Sequence, residues 1–401
     1  MTAIGFISIL ISFLAFAWAS HEMTNRKLAL FLAIVILHIG AAFVYYFYVQ
    51  TNDADTRLYY FDPYEFARNE FAFGTVFVVD ATQWLRGRIG GSYLDYFLLY
   101  QIFGTWGLAI LLRSLEELGM VLKMEVPREV MALMFLPGMY FWTAAIGKDA
   151  PLFFCCSLAV WSSLNVSGRW AWFALAIGIM VLFRPHVALV SVGSLALSLV
   201  IGRGVSGITR VTLIAIAAVA AVMLGRTLQA SLNVDISSTS SIASFVETQT
   251  SQATMGTDDS LARAFFPIKL LSLLYRPFFI DTNGIFGLVA SVQNIVMLYI
   301  TYQLLKNFRL WRDVFRESLP VRFATIYFLA LFMMLALAYY NVGLGLRQRE
   351  MATPAILLVF AAVHMISLRR RGMLLDEQAE QRGVQAGAGR AADTGQILPQ
   401  H

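Results

Sequence analysis

Apolar residues fall in runs of about 14 to 22, separated by charged connections, and the runs do not alternate polar and apolar with period two. They therefore read as helices and not as barrel strands, the two backbone arrangements that satisfy their own polar groups in lipid. About eleven transmembrane helices are expected, each near the ~20 residues a bilayer needs. They cover 3–20, 28–49, 92–112, 130–146, 151–166, 170–183, 187–201, 211–230, 284–305, 323–340 and 351–368. The run at 3–20 lacks a basic leader and is followed by further spans, so it reads as a first membrane helix and not as a cleaved signal.

The connections alternate in character. One set is short and basic: Arg26-Lys27, then Arg113, Lys123 and Arg128, then Arg169, then Arg203 and Arg210. Lys306, Arg309, Arg312, Arg316 and Arg322 follow, then Arg369-Arg370-Arg371. The positive-inside rule puts this set in the cytoplasm, with the N-terminus outside and the C-terminus inside. The other set faces outward and comprises 52–91, 147–149, 184–186, 231–283 and 343–350. Loop 52–91 is expected to carry amphipathic helices lying on the membrane surface. In the second large loop, 231–260 is polar and reads as mobile, while 261–281 reads as an interfacial or re-entrant segment. Residues 1–371 form one transmembrane domain, and 372–401 read as a disordered cytoplasmic tail.

Composition agrees with this pattern. The chain has 401 residues, 58% hydrophobic and only 14% charged, with a mean hydropathy of +0.66. A soluble domain carries roughly 25% charged residues. The net charge of +5 sits in the membrane-flanking loops and does not form a basic patch for nucleic acid. Cys155 and Cys156 are adjacent, which offers neither a disulfide framework nor a zinc spacing. No Walker A, dinucleotide-binding glycine pattern or nucleophile elbow is present.

The candidate chemistry lies in the outward set. Asp53 and Asp55 follow a long apolar run and precede Arg57, Tyr59 and Tyr60. Two carboxylates at a membrane mouth can accept a proton or hold a cation, and the bland alternative is a solvated loop start. Gly147-Lys148-Asp149 makes a tight turn between apolar runs, where Lys148 could hold a phosphate as a point charge. Arg184-Pro185-His186 joins two runs of about 14 residues, roughly 21 Å each, so the turn should be drawn below the surface. An arginine at that depth needs a partner, either a phosphate or an acid such as Asp149 or Glu350. Arg347 and Arg349 straddle one residue and offer guanidinium forks for phosphate oxygens. The alternative is an arginine–Glu350 bridge. Arg276 is a further phosphate candidate. His38 and His364 lie in apolar spans and read as ordinary satisfied or helix-facing histidines.

These motifs resemble those of the polyprenyl-phosphate-dependent membrane glycosyltransferases of the GT-C superfamily. The set Asp53/Asp55, Gly147-Lys148-Asp149, Arg184-Pro185-His186 and Arg347-x-Arg349 is also similar to that of bacterial exopolysaccharide and O-antigen polymerases. The resemblance implies a bacterial inner-membrane enzyme with a polyprenyl-linked sugar donor and a glycan or lipid acceptor. Asp53 or Asp55 would be the base, with Lys148, Arg184, Arg347, Arg349 and Arg276 on the phosphate. Asp149, His186, Glu350, Arg57, Tyr59 and Tyr60 would support them. No cofactor is required, and a divalent cation, Mg or Mn, on Asp53 and Asp55 is optional. A lipid-linked glycan transporter or flippase is the alternative outside catalysis.

Overall fold

The computed structural model describes residues 1–19, 25–62, 72–202, 264–282, 284–337 and 342–394, with isolated positions between 207 and 226. Among the described residues the protein is all-α, with no strand. The expected span over 211–230, the loop 231–263, residues 63–71 of the first loop, and Tyr339, Tyr340 and Asn341 fall largely or wholly outside them.

The first helices are α1 (Ala3–Ala19) and α2 (Asn25–Thr51), both apolar. The first loop carries two helices, α3 (Asp55–Phe61) and α4 (Thr75–Ile89). Next comes α5 (Tyr93–Leu122), opened by a capping box between Ser92 and Asp95. It continues ten residues beyond the expected span.

The span expected over 130–146 is absent. The stretch breaks into α6 (Arg128–Ala132), a 3-10 turn (Leu133–Phe135) and α7 (Pro137–Phe141). Leu136, held before proline, leaves the helical region (φ −60°, ψ 120°). Gly138 then sits where a Cβ would collide with Glu350 and come within 2.7 Å of Gln293 Oε1.

Three helices follow closely: α8 (Asp149–Ser163), α9 (Val166–Phe183) and α10 (Pro185–Ile201). Helix α9 is kinked at Arg169, beyond which it covers the expected 170–183, and α10 runs 17 residues from Pro185.

The segment expected as interfacial is α11 (Phe266–Tyr275), whose 10 residues rise only about 15 Å and do not cross a bilayer. The chain ends with α12 (Ile285–Lys306), the strongly amphipathic α13 (Phe308–Glu317), α14 (Leu319–Leu337), α15 (Val342–Arg349) and α16 (Thr353–Thr394). Helix α16 runs on through most of the expected disordered tail, where alanine, glutamate, glutamine and arginine favour helix.

Among the described residues six helices are long and apolar enough to cross a membrane: those containing Lys27–Thr51, Tyr93–Leu122, Val166–Phe183, Ile285–Lys306, Leu319–Ala336 and Thr353–Met373. Three shorter apolar helices lie in α1, α10 and α11. The long α5 and the first half of α16 are largely buried, with α8 packed along α5. Helices α1, α2, α9 and α12 turn large apolar side chains outward, including Phe6, Phe47, Trp170 and Ile285. Such a continuous apolar exterior suits lipid.

Inside, His38 ties α2 to α5 and to Thr143. Its Nδ1 meets Gln101 Oε1 at 3.0 Å and Thr105 Oγ1 at 2.9 Å, and its Nε2 meets Thr143 Oγ1 at 2.9 Å. Gln101 donates onward to Ser12 Oγ at 2.6 Å. This is the satisfied packing role expected of His38, with polar groups serving as interhelical glue.

Candidate functional site

The site is built at the end of the bundle where α2 finishes and α8, α10 and α16 begin. Helix α3 is pinned there by polar contacts to its neighbours. Thr56 Oγ1 and Tyr93 Oη are 2.6 Å apart, and Tyr60 Oη donates to Gly91 O at 2.8 Å. Gln83 Nε2 donates to the carbonyls of Tyr59 (3.2 Å) and Tyr60 (2.7 Å), and the Arg86 guanidinium lies 4.5 Å over the Tyr60 ring. Arg57 closes the end of α2, donating to Val49 O at 2.8 Å and Gln50 O at 3.3 Å, a basic side chain on the last carbonyls of a helix. It therefore serves the end of α2 and not the supporting role at the site that the resemblance implies. Tyr60 is likewise a structural contact.

This scaffold presents Asp55 at the first turn of α3, where the helix dipole favours a carboxylate. Asp55 Oδ2 accepts from Arg347 Nη1 at 2.7 Å. Arg347 Nε donates to Asp149 Oδ2, and Asp149 Oδ1 accepts from Arg184 Nη2 at 3.4 Å. Residues 55, 149, 184 and 347 thus form one chain of charges, drawn from four helix ends. Next to it, Lys148 Nζ donates to Thr75 Oγ1 at 2.8 Å. Tyr59, four residues after Asp55, is buried against Arg347. His186 lies within electrostatic reach of Arg184 and Lys148.

Backbone geometry makes room for this cluster at two glycines. Gly147 has φ +150°, and a Cβ there would press within 3.1 Å of the Tyr59 ring. Gly74 has φ +82°, donates to Leu182 O at 2.9 Å, and leads into Thr75. Thr75 carries no distinctive signal in the sequence. The nearest hint is the Gly74-Thr75 pair at the start of an apolar helix.

The electrostatics follow from burial and mutual charge. Asp149 and Arg184 are 6% and 8% exposed, so their charges are nearly removed from water. Burial pushes the Lys148 ammonium down to about 8, helped by the like charge of Arg184. Burial also lowers Arg184, with Asp149 opposing it. For Arg347, burial acts downward but Asp149, Tyr59 and Asp55 outweigh it, so this guanidinium is held charged. The Tyr59 phenol is pushed up to about 12 by burial. Three cations, Lys148, Arg184 and Arg347, face two carboxylates, Asp55 and Asp149. A buried cation without a counter-charge costs several kcal/mol, so the arrangement favours an added anion.

Other expected residues lie elsewhere. Arg347 and Arg349 sit on the short helix α15, where a two-residue step turns side chains about 200° apart. Arg349 therefore does not join Arg347 in a fork. It is 2% exposed, pairs with Glu350 Oε1 at 3.8 Å and donates to Leu274 O at 3.4 Å. Glu350 also accepts from Gln293 Nε2 at 2.7 Å and from Thr353 Oγ1 at 3.0 Å, and burial raises its carboxyl. With Gly138 N donating to Gln293 Oε1 at 2.6 Å, these groups form a second, closed polar cluster under α7. Arg276 pairs with Asp281 at 3.1 Å in a half-exposed turn apart from the charge chain.

Asp53 is exposed and makes no hydrogen bond with a described residue. Among the described residues no three His, Cys, Asp or Glu side chains converge to hold a metal ion. With Asp55 committed to Arg347 and Asp53 in solvent, the donor set for Mg or Mn does not fit. The chain matches no known protein family, no curated protein and no solved structure.

Proposed function

We propose that the chain is a membrane glycosyltransferase of the bacterial inner membrane, moving a sugar or glycan from a polyprenyl phosphate or pyrophosphate to an acceptor hydroxyl at the periplasmic face. The observation that carries this reading is the charge chain Asp55–Arg347–Asp149–Arg184 with Lys148 beside it, at one end of a bundle of apolar helices. The donor phosphate displaces Asp55 from Arg347 and settles among Arg347, Arg184 and Lys148. Asp55, released beside the anion, takes the proton of the acceptor hydroxyl. The acceptor oxygen bonds to the anomeric carbon as the bond from that carbon to the phosphate oxygen breaks. The electron pair leaves with the phosphate, where the guanidinium groups stabilise it. Asp149 holds the two arginines in register and does not touch substrate.

The test is complementation of a deletion strain with point variants, reading lipid-linked glycan intermediates. Asp55→Asn abolishes transfer while membrane insertion is kept, and Asp53→Asn retains most activity. Full activity of Asp55→Asn overturns the assignment. Accumulation of single-repeat lipid intermediates in the deletion strain would make the transfer a repeat-unit polymerisation.

A further inference from the structure

Where α12 turns into α13, beside the later part of α16, lies a cavity of about 520 Å³. Asn307 makes the corner. Its backbone N–H and its Nδ2 both donate to Gln303 O, at 3.1 and 2.8 Å, and its carbonyl accepts from Trp311 N at 2.9 Å. Ser367 of α16 donates to Asn307 Oδ1 at 3.5 Å. Beyond the corner, α13 is fixed by its apolar face: Leu310 and Val314 are buried one turn apart, and Trp311 Nε1 donates to Thr325 Oγ1 at 3.2 Å. Arg322 closes the far end of α13, donating to the carbonyls of Phe315 and Arg316 at 3.2 and 2.8 Å. This bracing leaves the polar face of the corner to the cavity. Lys306 and Arg309 line it from one side, Arg370 and Arg371 from α16, and no carboxylate lines it among the described residues. Asp313, one turn from Arg309, is paired with Arg312 at 3.3 Å. Arg369 turns away and donates to Leu122 O at the end of α5. From the cavity an apolar strip runs back along α12: Leu305, Tyr302, Leu298 and Ile295 are all exposed, at steps of three and four residues that put them on one face. At about 1.5 Å per residue, Arg370 is roughly 25 Å along α16 from Thr353, near the thickness of a hydrocarbon core. The cavity therefore lies at the membrane surface opposite the charge chain.

We infer that this cavity seats the headgroup of a two-phosphate phospholipid of the cardiolipin class, its phosphates shared among Lys306, Arg309, Arg370 and Arg371 and its acyl chains along the strip on α12. Charge selects the headgroup. Four cations around one cavity repel one another, and a doubly charged anion relieves more of that repulsion than a single phosphate. Guanidinium groups also offer paired donors that suit phosphate oxygens. The strip commits the site to a lipid, because a soluble diphosphate would use the cations and leave the apolar face of α12 uncovered. Basic pockets at the ends of membrane helices recognise anionic headgroups in this way. The inference does not rest on the proposed transferase activity.

The test is native mass spectrometry of the full chain in detergent, with cardiolipin and phosphatidylglycerol supplied at equal phosphate. The native chain should retain one cardiolipin, preferred at least about tenfold over phosphatidylglycerol. Arg309→Gln combined with Arg370→Gln takes one cation from each side of the cavity, at exposed positions. Retention should fall about fivefold for each cation lost, with helicity unchanged. Arg316→Gln combined with Arg369→Gln removes the same charge outside the lining and should retain cardiolipin as the native chain does. Equal retention of the two lipids by the native chain overturns the inference. Equal loss in the two double variants also overturns it, because the lipid then answers to net charge and not to the cavity. Full displacement of the lipid by millimolar inorganic pyrophosphate overturns the lipid assignment, since the chains would then contribute nothing.

Discussion

Lys148 turns the charge chain into a pH-dependent device. Its ammonium titrates near 8, so it is charged below that pH and neutral above it. A phosphate monoester has lost its second proton by then, with a pKa near 6. Affinity for polyprenyl phosphate should therefore fall as pH rises from about 7.5 to 9, by up to tenfold per unit. In Lys148→Arg the fall should vanish over that range, as read by isothermal titration. A flat profile in the native chain would remove Lys148 from the binding set. Arg349 makes the contrasting case. Arg349→Gln should leave phosphate affinity unchanged and lower the thermal midpoint, since removing one partner of a buried pair costs about 3–5 kcal/mol. Lys148, Asp149 and Arg184 were legible because charge in a tight turn between apolar runs has few other uses. The division between Arg347 and Arg349 was not. Gly343 and Gly345 disguise the segment as a loop, and only its helical phase sends the two guanidinium groups apart. Asp55 was separable from Asp53 only once α3 fixed which carboxylate faced Arg347.

Among the elements, the long helices could be read from hydropathy, because length and composition alone determine whether a helix suits a bilayer. The stretch from 130 to 146 could not. Its composition is that of a span, yet Pro137 and the crowding at Gly138 break it into short pieces that cover the Gln293–Glu350 pair. Hydropathy registers that a segment avoids water and says nothing of whether protein or lipid surrounds it. Gly138→Ala should therefore destabilise by roughly 1–3 kcal/mol through overpacking, seen as a lower melting temperature in detergent. Gly104→Ala should do the same, because a Cβ there would lie 2.5 Å from the His38 ring. An unchanged melting temperature in both variants would mean that these approaches are looser than described.

At the scale of the molecule, Lys27 and Arg322 lie at the end opposite the charge chain. Lys27, at the start of α2, pairs with Glu116 at 2.7 Å, and Arg322 donates to Ser198 O at 2.6 Å near the end of α10 away from Arg184. What no single segment announced is that residues 55, 148, 149, 184 and 347, separated by up to 292 positions, share one site. The most direct measurement is the affinity of the full chain in nanodiscs for polyprenyl phosphate, compared between the native protein and Arg347→Gln. The account predicts saturable binding that weakens at least about tenfold in the variant, the loss of one charge-assisted contact. Equal affinity in a variant that keeps its fold would contradict it.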